Sequence, residues 1–586
     1  MKKILLFAAS AVVALASCTQ NDDFFAGDEQ LAQQQQQENA ITFSTYLGQA
    51  AQTRSGYVGN INTDVLKNNS KANGFGVFAY FTEEKDYEAY RAKTALGTTY
   101  PNFMYNTHVT WTTGRTGYVG ADGGNMWTYS HLKYWPNDII DKTAGNVDDQ
   151  TTDDAAQGST AYGGKLSFFA YAPYVEVTNT AANQDKIDGG SVDDKNYGII
   201  AVSGNKFTGD GTHNSDPYIT YKLKDDGTNV VDLLWGTLGS STGKNVLGSG
   251  NAGVISTGTA GTLTASNGDY SDDILAIGSP TVTGYTMPAD LTKQKTQGTV
   301  ELVFKHALAK VGGSEVNGDN PLGSNHHGLM IITDIDDQKG EEIGGHRGTT
   351  AGVDNDTKVT VKDIKIVAKS KVNDGTNNPG ETGYADTYLK AVQGLFNLAT
   401  GKWEVTRTIS TTDDNVANSG VTGLTHEITT TGTGVAAKLN AAIAEPSTAP
   451  AKTEAGFNGI TANVPDNAPV NVYDTTDGDA NPLVFIPGTW PELTVTVEYC
   501  VRTKDPNLAD SYSEVWQKIT KKITFANPVE LNKQYNLLIH LGLTSVKFTA
   551  TVSNWDVETG TPNIDTDGDG TADLQGKDVY VPINVK

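Results

Sequence analysis

The chain has 586 residues, 43 basic against 68 acidic, and a formal charge of −25. A field of that sign repels phosphate backbones and excludes nucleic acid as an expected partner. Only 19% of residues are charged, 63 are glycine, and Thr, Asn and Asp are frequent, a mix that favours short strands joined by turns, in domains of about 150 residues each, over long helices.

Residues 1–17 begin with Lys2 and Lys3, run through an apolar stretch from Ile4 to Ala16, and lead into Leu15-Ala16-Ser17-Cys18. A charged start, a short apolar run and small residues at the cut make a secretory signal peptide, too short to span a bilayer. The run resembles the lipobox of bacterial lipoproteins. That resemblance implies lipid on the Cys18 sulfur, loss of residues 1–17, and a membrane partner held through Cys18; an ordinary signal peptide is the plainer alternative. Residues 18–40, with Asp22, Asp23, Asp28, Glu29 and glutamines 33–37, are too polar to fold and are expected to form a disordered tether. Acidic residues soon after the cysteine also resemble the surface-export signal of Bacteroidota-type lipoproteins, and a solvated linker fits as well.

Ile41-Thr42-Phe43-Ser44-Thr45-Tyr46-Leu47 alternates, with Ile41, Phe43 and Leu47 on one face, and predicts a half-buried strand of about 20–23 Å. Residues 48–56 are small, polar and bounded by Gly48 and Gly56, the kind of loop that proteases nick, and Arg54 is its one basic residue. Far away, Val579, Val581, Ile583 and Val585 alternate in the same way. If residues 41–54 were cut away, the last strand of a neighbouring copy could fill the empty groove by strand addition. Four buried aliphatic side chains would contribute about 6–12 kcal/mol gross. Pro582, lacking an N–H, would weaken one side of that ladder.

Further motifs follow in order: Phe75-Gly76-Val77-Phe78-Ala79-Tyr80, Tyr134-Trp135-Pro136, Leu166 to Pro173, Asp232-Leu233-Leu234-Trp235, Phe304 to Val311, Leu531 to Leu537, and Val552-Ser553-Asn554-Trp555. With the lipobox, this order resembles fimbrillins, the subunits of Bacteroidales type V pili, over about residues 1–560. The resemblance implies a subunit exported as an outer-membrane lipoprotein, cut between Arg54 and Ser55 by a trypsin-like protease, and polymerised at the cell surface by donor-strand exchange. Its implied partners are other copies of itself, related pilus subunits and a host or bacterial surface ligand. The family is diverse at its C-terminus, so a tip, anchor or adhesin subunit that does not polymerise as a stalk stands beside the stalk reading. A surface glycan-binding lipoprotein is a third reading and would need exposed aromatic platforms.

The resemblance implies an all-β fold of two tandem transthyretin-like β-sandwich domains, expected at residues 55–295 and 296–560, with an acidic loop and candidate donor strand at 561–586. Alternation in Thr299 to Phe304, Val359 to Val367 and Leu493 to Val501 independently supports all-β. Residues 236–271 read as a surface insertion, and Ala436 to Ala444 as a short helix stopped by Pro446. Trp135, Phe168, Trp235 and Trp555 are expected in cores. Cys500 is expected to be a small buried strand residue.

The chemistry is sparse. Asp565, Asp567, Asp569 and Asp573, with Gly570 turning the chain, match positions 1, 3, 5 and 9 and the glycine of a calcium loop. Gly576 stands where an EF-hand closes with an acid, so the match is incomplete, and an acidic linker is the alternative. His326-His327 lacks zinc-ligand spacing, and no G-x-S-x-G elbow or Walker loop is present. The expectation is a non-enzyme with no cofactor beyond candidate calcium. Residues 1–54 carry Lys2, Lys3 and Arg54 against five acids, so a chain cut after Arg54 keeps −23 of the −25.

Overall fold

The computed structural model describes residues 40–47, 63–70, 72–83, 86–91, 101–113, 125–136, 140–141, 161–162, 164–178, 185–187, 197–203, 216–223, 231–238, 244–245, 285–292, 296, 298–312, 328–333, 357–373, 376–384, 389–410, 424–432, 436–465, 469–474, 483–542, 546–554, 579–581 and 583–585. Among them the protein is all-β. The first half supplies β1 (Thr42–Leu47), β2 (Phe75–Glu83), β3 (Met104–Thr112), β4 (Met126–Thr128), β5 (Lys165–Ala172), β6 (Gly198–Ser203), β7 (Tyr218–Lys222), β8 (Leu234–Leu238) and β9 (Thr299–His306). The second half supplies β10 (Ala309–Val311), β11 (Leu329–Thr333), β12 (Thr357–Lys371), β13 (Leu389–Asn397), β14 (Lys402–Ser410), β15 (Leu424–Thr429), β16 (Leu483–Phe485), β17 (Trp490–Lys504), β18 (Tyr512–Phe525), β19 (Lys533–Leu541), β20 (Val546–Asn554), β21 (Val579–Val581) and β22 (Ile583–Val585).

The first sheet runs β1-β9-β8-β5-β2-β3-β4, and β1 lies parallel to β9. Its central strands are covered on both faces, so they are apolar at consecutive positions rather than alternate ones. Phe75, Val77, Ala79, Phe168 and Ala170 fill one core. Phe78, Tyr80, Phe169 and Tyr171 point the other way, into a core shared with the second sheet, which contains β14-β13-β7-β6.

The third sheet is built on β19, with β10 and β11 parallel to it and β20 antiparallel. The fourth runs β15-β12-β17-β18-β22. Their facing sides make one core that includes Val495, Val497, Tyr499, Leu537 and Ile539. A bulge between Val361 and Asp363 shifts the parity of β12, so Val359, Val361, Ile364 and Ile366 all face inward.

Strand pairing divides the chain differently from the linear split expected at 295. β9 belongs to the first sheet as far as His306, and β10 enters the third sheet at Ala309. The crossing residues Ala307 and Leu308 are fully buried. Ala307 N–H donates to Leu233 O at 2.7 Å, Asn532 N–H donates to Leu308 O at 3.1 Å, and Trp403 Nε1 donates to Ala307 O at 2.6 Å. There is no glycine or proline hinge in the Phe304–Val311 run, which is buried throughout except at Lys305. The hairpin β13–β14, from the second half of the sequence, pairs with β7 in the second sheet (Ile219↔Phe396). Phe396 and Trp403 pack with Trp235 in the shared core, which also takes Leu308, Val372, Val484 and Ile486. Gly401, at φ +66, lies where an added Cβ would meet the Trp235 ring at 2.4 Å, so only glycine permits this turn.

The helix expected over 436–444 is not formed. Ala437–Lys438 is a short strand beside β15, and a turn follows. The Asn440 carboxamide accepts from Ala442 N–H at 3.0 Å, and Glu445 N–H donates to Val361 O at 2.7 Å. Leu439 and Ile443 are buried four residues apart, a helix-like spacing met here by a turn that an Asn side chain closes. A helix occurs later, Glu454–Asn458, capped by Thr453. Trp135, Phe168 and Trp235 are buried as expected, and so is Cys500, whose thiol burial pushes up to about 12.

Candidate functional site

β1 occupies a slot between the two ends of the first sheet. On one side its whole length pairs with β9, from Thr42↔Thr299 to Leu47↔Phe304. Thr42 Oγ1 lies 2.7 Å from Thr299 Oγ1. On the other side stands β4 with the residues that follow it. Ile41 N–H donates to Lys133 O at 2.9 Å, Tyr129 Oη donates to Ile41 O at 2.9 Å, and Trp127 Nε1 donates to Thr45 Oγ1 at 2.9 Å. Ala40 forms a bridge with Tyr134. Trp135 Nε1 donates to Gly298 O at 3.0 Å, pinning the end of this segment to the start of β9.

The inward face of β1 is apolar, as alternation requires. Ile41 and Phe43 are buried. The Phe43 ring stands edge-on to Phe75, Tyr129 and Phe168, with centroids 5.9, 5.7 and 5.9 Å away. Burial pushes the Tyr129 phenol up to about 12, so it stays protonated and able to donate at neutral pH. The slot thus combines an aromatic floor with groups that bind peptide backbone.

Sequence reasoning found Ile41 and Phe43 but missed Trp127, Tyr129 and Lys133. The signal was the alternation Met126-Trp127-Thr128-Tyr129, too short to stand out. Leu47 lies in β1, though its side chain is outside the described residues. Cys18, Arg54, Ser55, Asp565, Asp567, Asp569, Asp573 and His326-His327 also lie outside them, as do Trp555 and most of 236–271.

The C-terminal segment was expected as one strand over 579–585. It forms two short strands in different sheets of its own chain. β21 pairs with β20 (Val552↔Val579, Ala550↔Val581) in the third sheet, and β22 pairs with β18 (Ile523↔Val585, Phe525↔Ile583) in the fourth. Pro582, which lies between the two strands in sequence and has no N–H to give a ladder, is outside the described residues.

On the outer side of the fourth sheet Trp516 is 45% exposed. The Lys362 ammonium and the Arg502 guanidinium stand 5.6 and 5.8 Å from the Trp516 ring centre. Beneath, Arg502 is buried and forks onto Glu445 (Nη2–Oε1 2.7 Å, Nη1–Oε2 3.0 Å) while its Nε donates to Glu514 at 2.8 Å.

The described residues therefore define an all-β protein with a leading strand seated between the ends of one sheet. Among proteins of known role, the chain is 24% identical over 263 residues to the fimbrium subunit Fim1C of Phocaeicola vulgatus. The match covers 45% of this chain and 42% of that protein, so this chain spans less than half of the relative's length. It supports a fimbrillin-family protein. A crystal structure of a fimbrial protein from Bacteroides vulgatus aligns over 88% of this chain and 99% of that one, at 17% identity and a TM-score of 0.41. No protein-family model matches the chain.

Proposed function

We propose that this chain is the precursor of a structural fimbrial subunit. It is exported as an outer-membrane lipoprotein on Cys18, cut between Arg54 and Ser55 at the cell surface, and polymerised when a neighbour's 579–585 strand replaces residues 41–47. Its partners are copies of itself and related pilus subunits. The observation that carries the reading is β1. It is an end strand whose Ile41 and Phe43 side chains complete the first core, so its loss would leave open backbone and an apolar slot that only another strand could fill. The sequence match to a fimbrium subunit supports the same reading. In it, Asp565, Asp567, Asp569 and Asp573 bind calcium and stiffen the segment before the donor strand. No enzymatic activity is proposed.

A second reading has its own observation. β21 and β22 are seated in their own chain, which favours a tip or anchor subunit that keeps its C-terminus and does not polymerise as a stalk. N-terminal sequencing of high-mass material sheared from cells tests the choice. A start at Ser55, with ladders abolished by deleting 579–586, supports the stalk. A lipidated Cys18 with no high-mass form overturns it.

A further inference from the structure

The slot that holds β1 has two unlike walls. The β9 wall is an ordinary ladder. The other wall, Met126–Trp135, arrives from the far end of the sheet and holds β1 mainly through polar groups. Lys133 O takes the Ile41 amide proton, the Tyr129 hydroxyl donates to the Ile41 carbonyl, and Trp127 Nε1 reaches the Thr45 hydroxyl. Tyr129 sits at the centre. Its oxygen also accepts from Lys133 N–H at 3.3 Å, and its ring meets Phe43 edge-on. One side chain thus ties the backbone of the seated strand to the segment and to the core together.

We infer that Met126–Trp135 is a retaining strap, with Tyr129 its gripping residue, so that a cut in the chain after β1 leaves β1 in place until the strap lets go. The inference rests on the reading above that the chain is cut in this region. Processing then has two steps, bond cleavage and strand departure, and the second is set by this wall. The same groups define what the slot accepts. Lys133 O and the Tyr129 hydroxyl address an amide and a carbonyl, which every extended strand offers. Trp127 addresses a side-chain acceptor at the position of Thr45, so it sets the register of the occupant. In a neighbour's 579–585 strand aligned on the same apolar alternation, Ile583 would fall there and offers no acceptor. Trp127 therefore favours the resident strand over that occupant.

The test uses the full chain with a recognition sequence for a site-specific protease inserted between Gln49 and Gln52. After cutting, native gel filtration with intact-mass detection follows whether the peptide ending in the new site stays with the body. The expected result is co-elution for the unsubstituted strap, and release about twofold to tenfold faster for Tyr129→Phe, which loses the one part-buried hydrogen bond from this hydroxyl to β1. Thr45→Val, which removes the Trp127 acceptor outside the strap, should also speed release, and covers the case in which Tyr129→Phe fails to fold. Equal release rates in the unsubstituted, Tyr129→Phe and Thr45→Val proteins overturn the proposal. Adding a peptide of residues 577–586 to the emptied protein separates the two readings. Refusal of that peptide, after strap-dependent release, removes the donor-strand reading and leaves the strap standing.

Discussion

The amide of Ile41 donates to the carbonyl of Lys133 at 2.9 Å, and this bond joins the two ends of the first sheet. Among the described residues β1 has a backbone ladder only with β9, and this bond and the Ala40–Tyr134 bridge tie its start to the segment after β4. Removing this first described strand would expose the β9 edge and an aromatic core.

Phe43→Ala tests how much the intact fold depends on that strand. The ring touches Phe75, Tyr129 and Phe168, and no smaller side chain spans all three. The expected loss is about 3–5 kcal/mol, read from the urea midpoint by tryptophan fluorescence. Phe43→Leu should cost under about 1.5 kcal/mol. Equal effects would mean that the slot collapses around whatever it holds.

A chain of residues 40–312 holds all of the first sheet's described strands but lacks β13 and β14. Without Phe396 and Trp403 the shared core opens and β7 keeps β6 but loses β13. The expected outcome is a chain that gives no cooperative thermal transition by circular dichroism, while the uncut protein does. Native-like melting of 40–312 would show that the hairpin is dispensable.

Glu404, in β14, gives a pH dependence of defined sign. Burial raises its carboxyl from 4.5 to about 8, and Oε1 has no hydrogen-bond partner among the described residues. The folded state binds this proton more tightly than the unfolded chain does. Its contribution to stability is therefore fully present below pH 4.5 and falls as pH rises towards 8. Glu404→Gln should raise Tm relative to the parent at pH 8 and leave it unchanged near pH 4, as thermal melts across that range would show. A Tm difference independent of pH would place the carboxyl in water.

Arg502 is held by both Glu445 and Glu514 in the fourth sheet. Arg502→Met leaves Glu445 partly buried without its cation and should cost about 3–5 kcal/mol. Arg502→Met with Glu445→Leu should cost less than the sum of the two single changes. Urea denaturation of the three variants measures the coupling, and strict additivity would deny it.

What the sequence made legible is what depends on neighbours close along the chain. Alternation at Ile41 and Phe43 marked a strand with one buried face, and the aromatic motifs around Phe168 and Trp235 marked core. Composition favoured short strands over long helices, and alternation supported an all-β protein. The strand pairing divides the chain after His306 rather than at 295, within the apolar Phe304–Val311 run, where no turn residue marks the change of sheet. The 436–444 segment misled because Leu439 and Ile443 have helical spacing while Asn440 turns the chain.

The sequence by itself determined which stretches are strands and which faces they bury, since a period of two is written in consecutive residues. The tertiary structure decided which strands meet. The parallel pairing of β1 with β9, the return of β13–β14 to the first half's sheets, the grip of Tyr129 on Ile41 and the splitting of 579–585 between two sheets all join residues tens to hundreds of positions apart. Such pairings follow from which apolar faces can be closed together, and no local pattern encodes that choice.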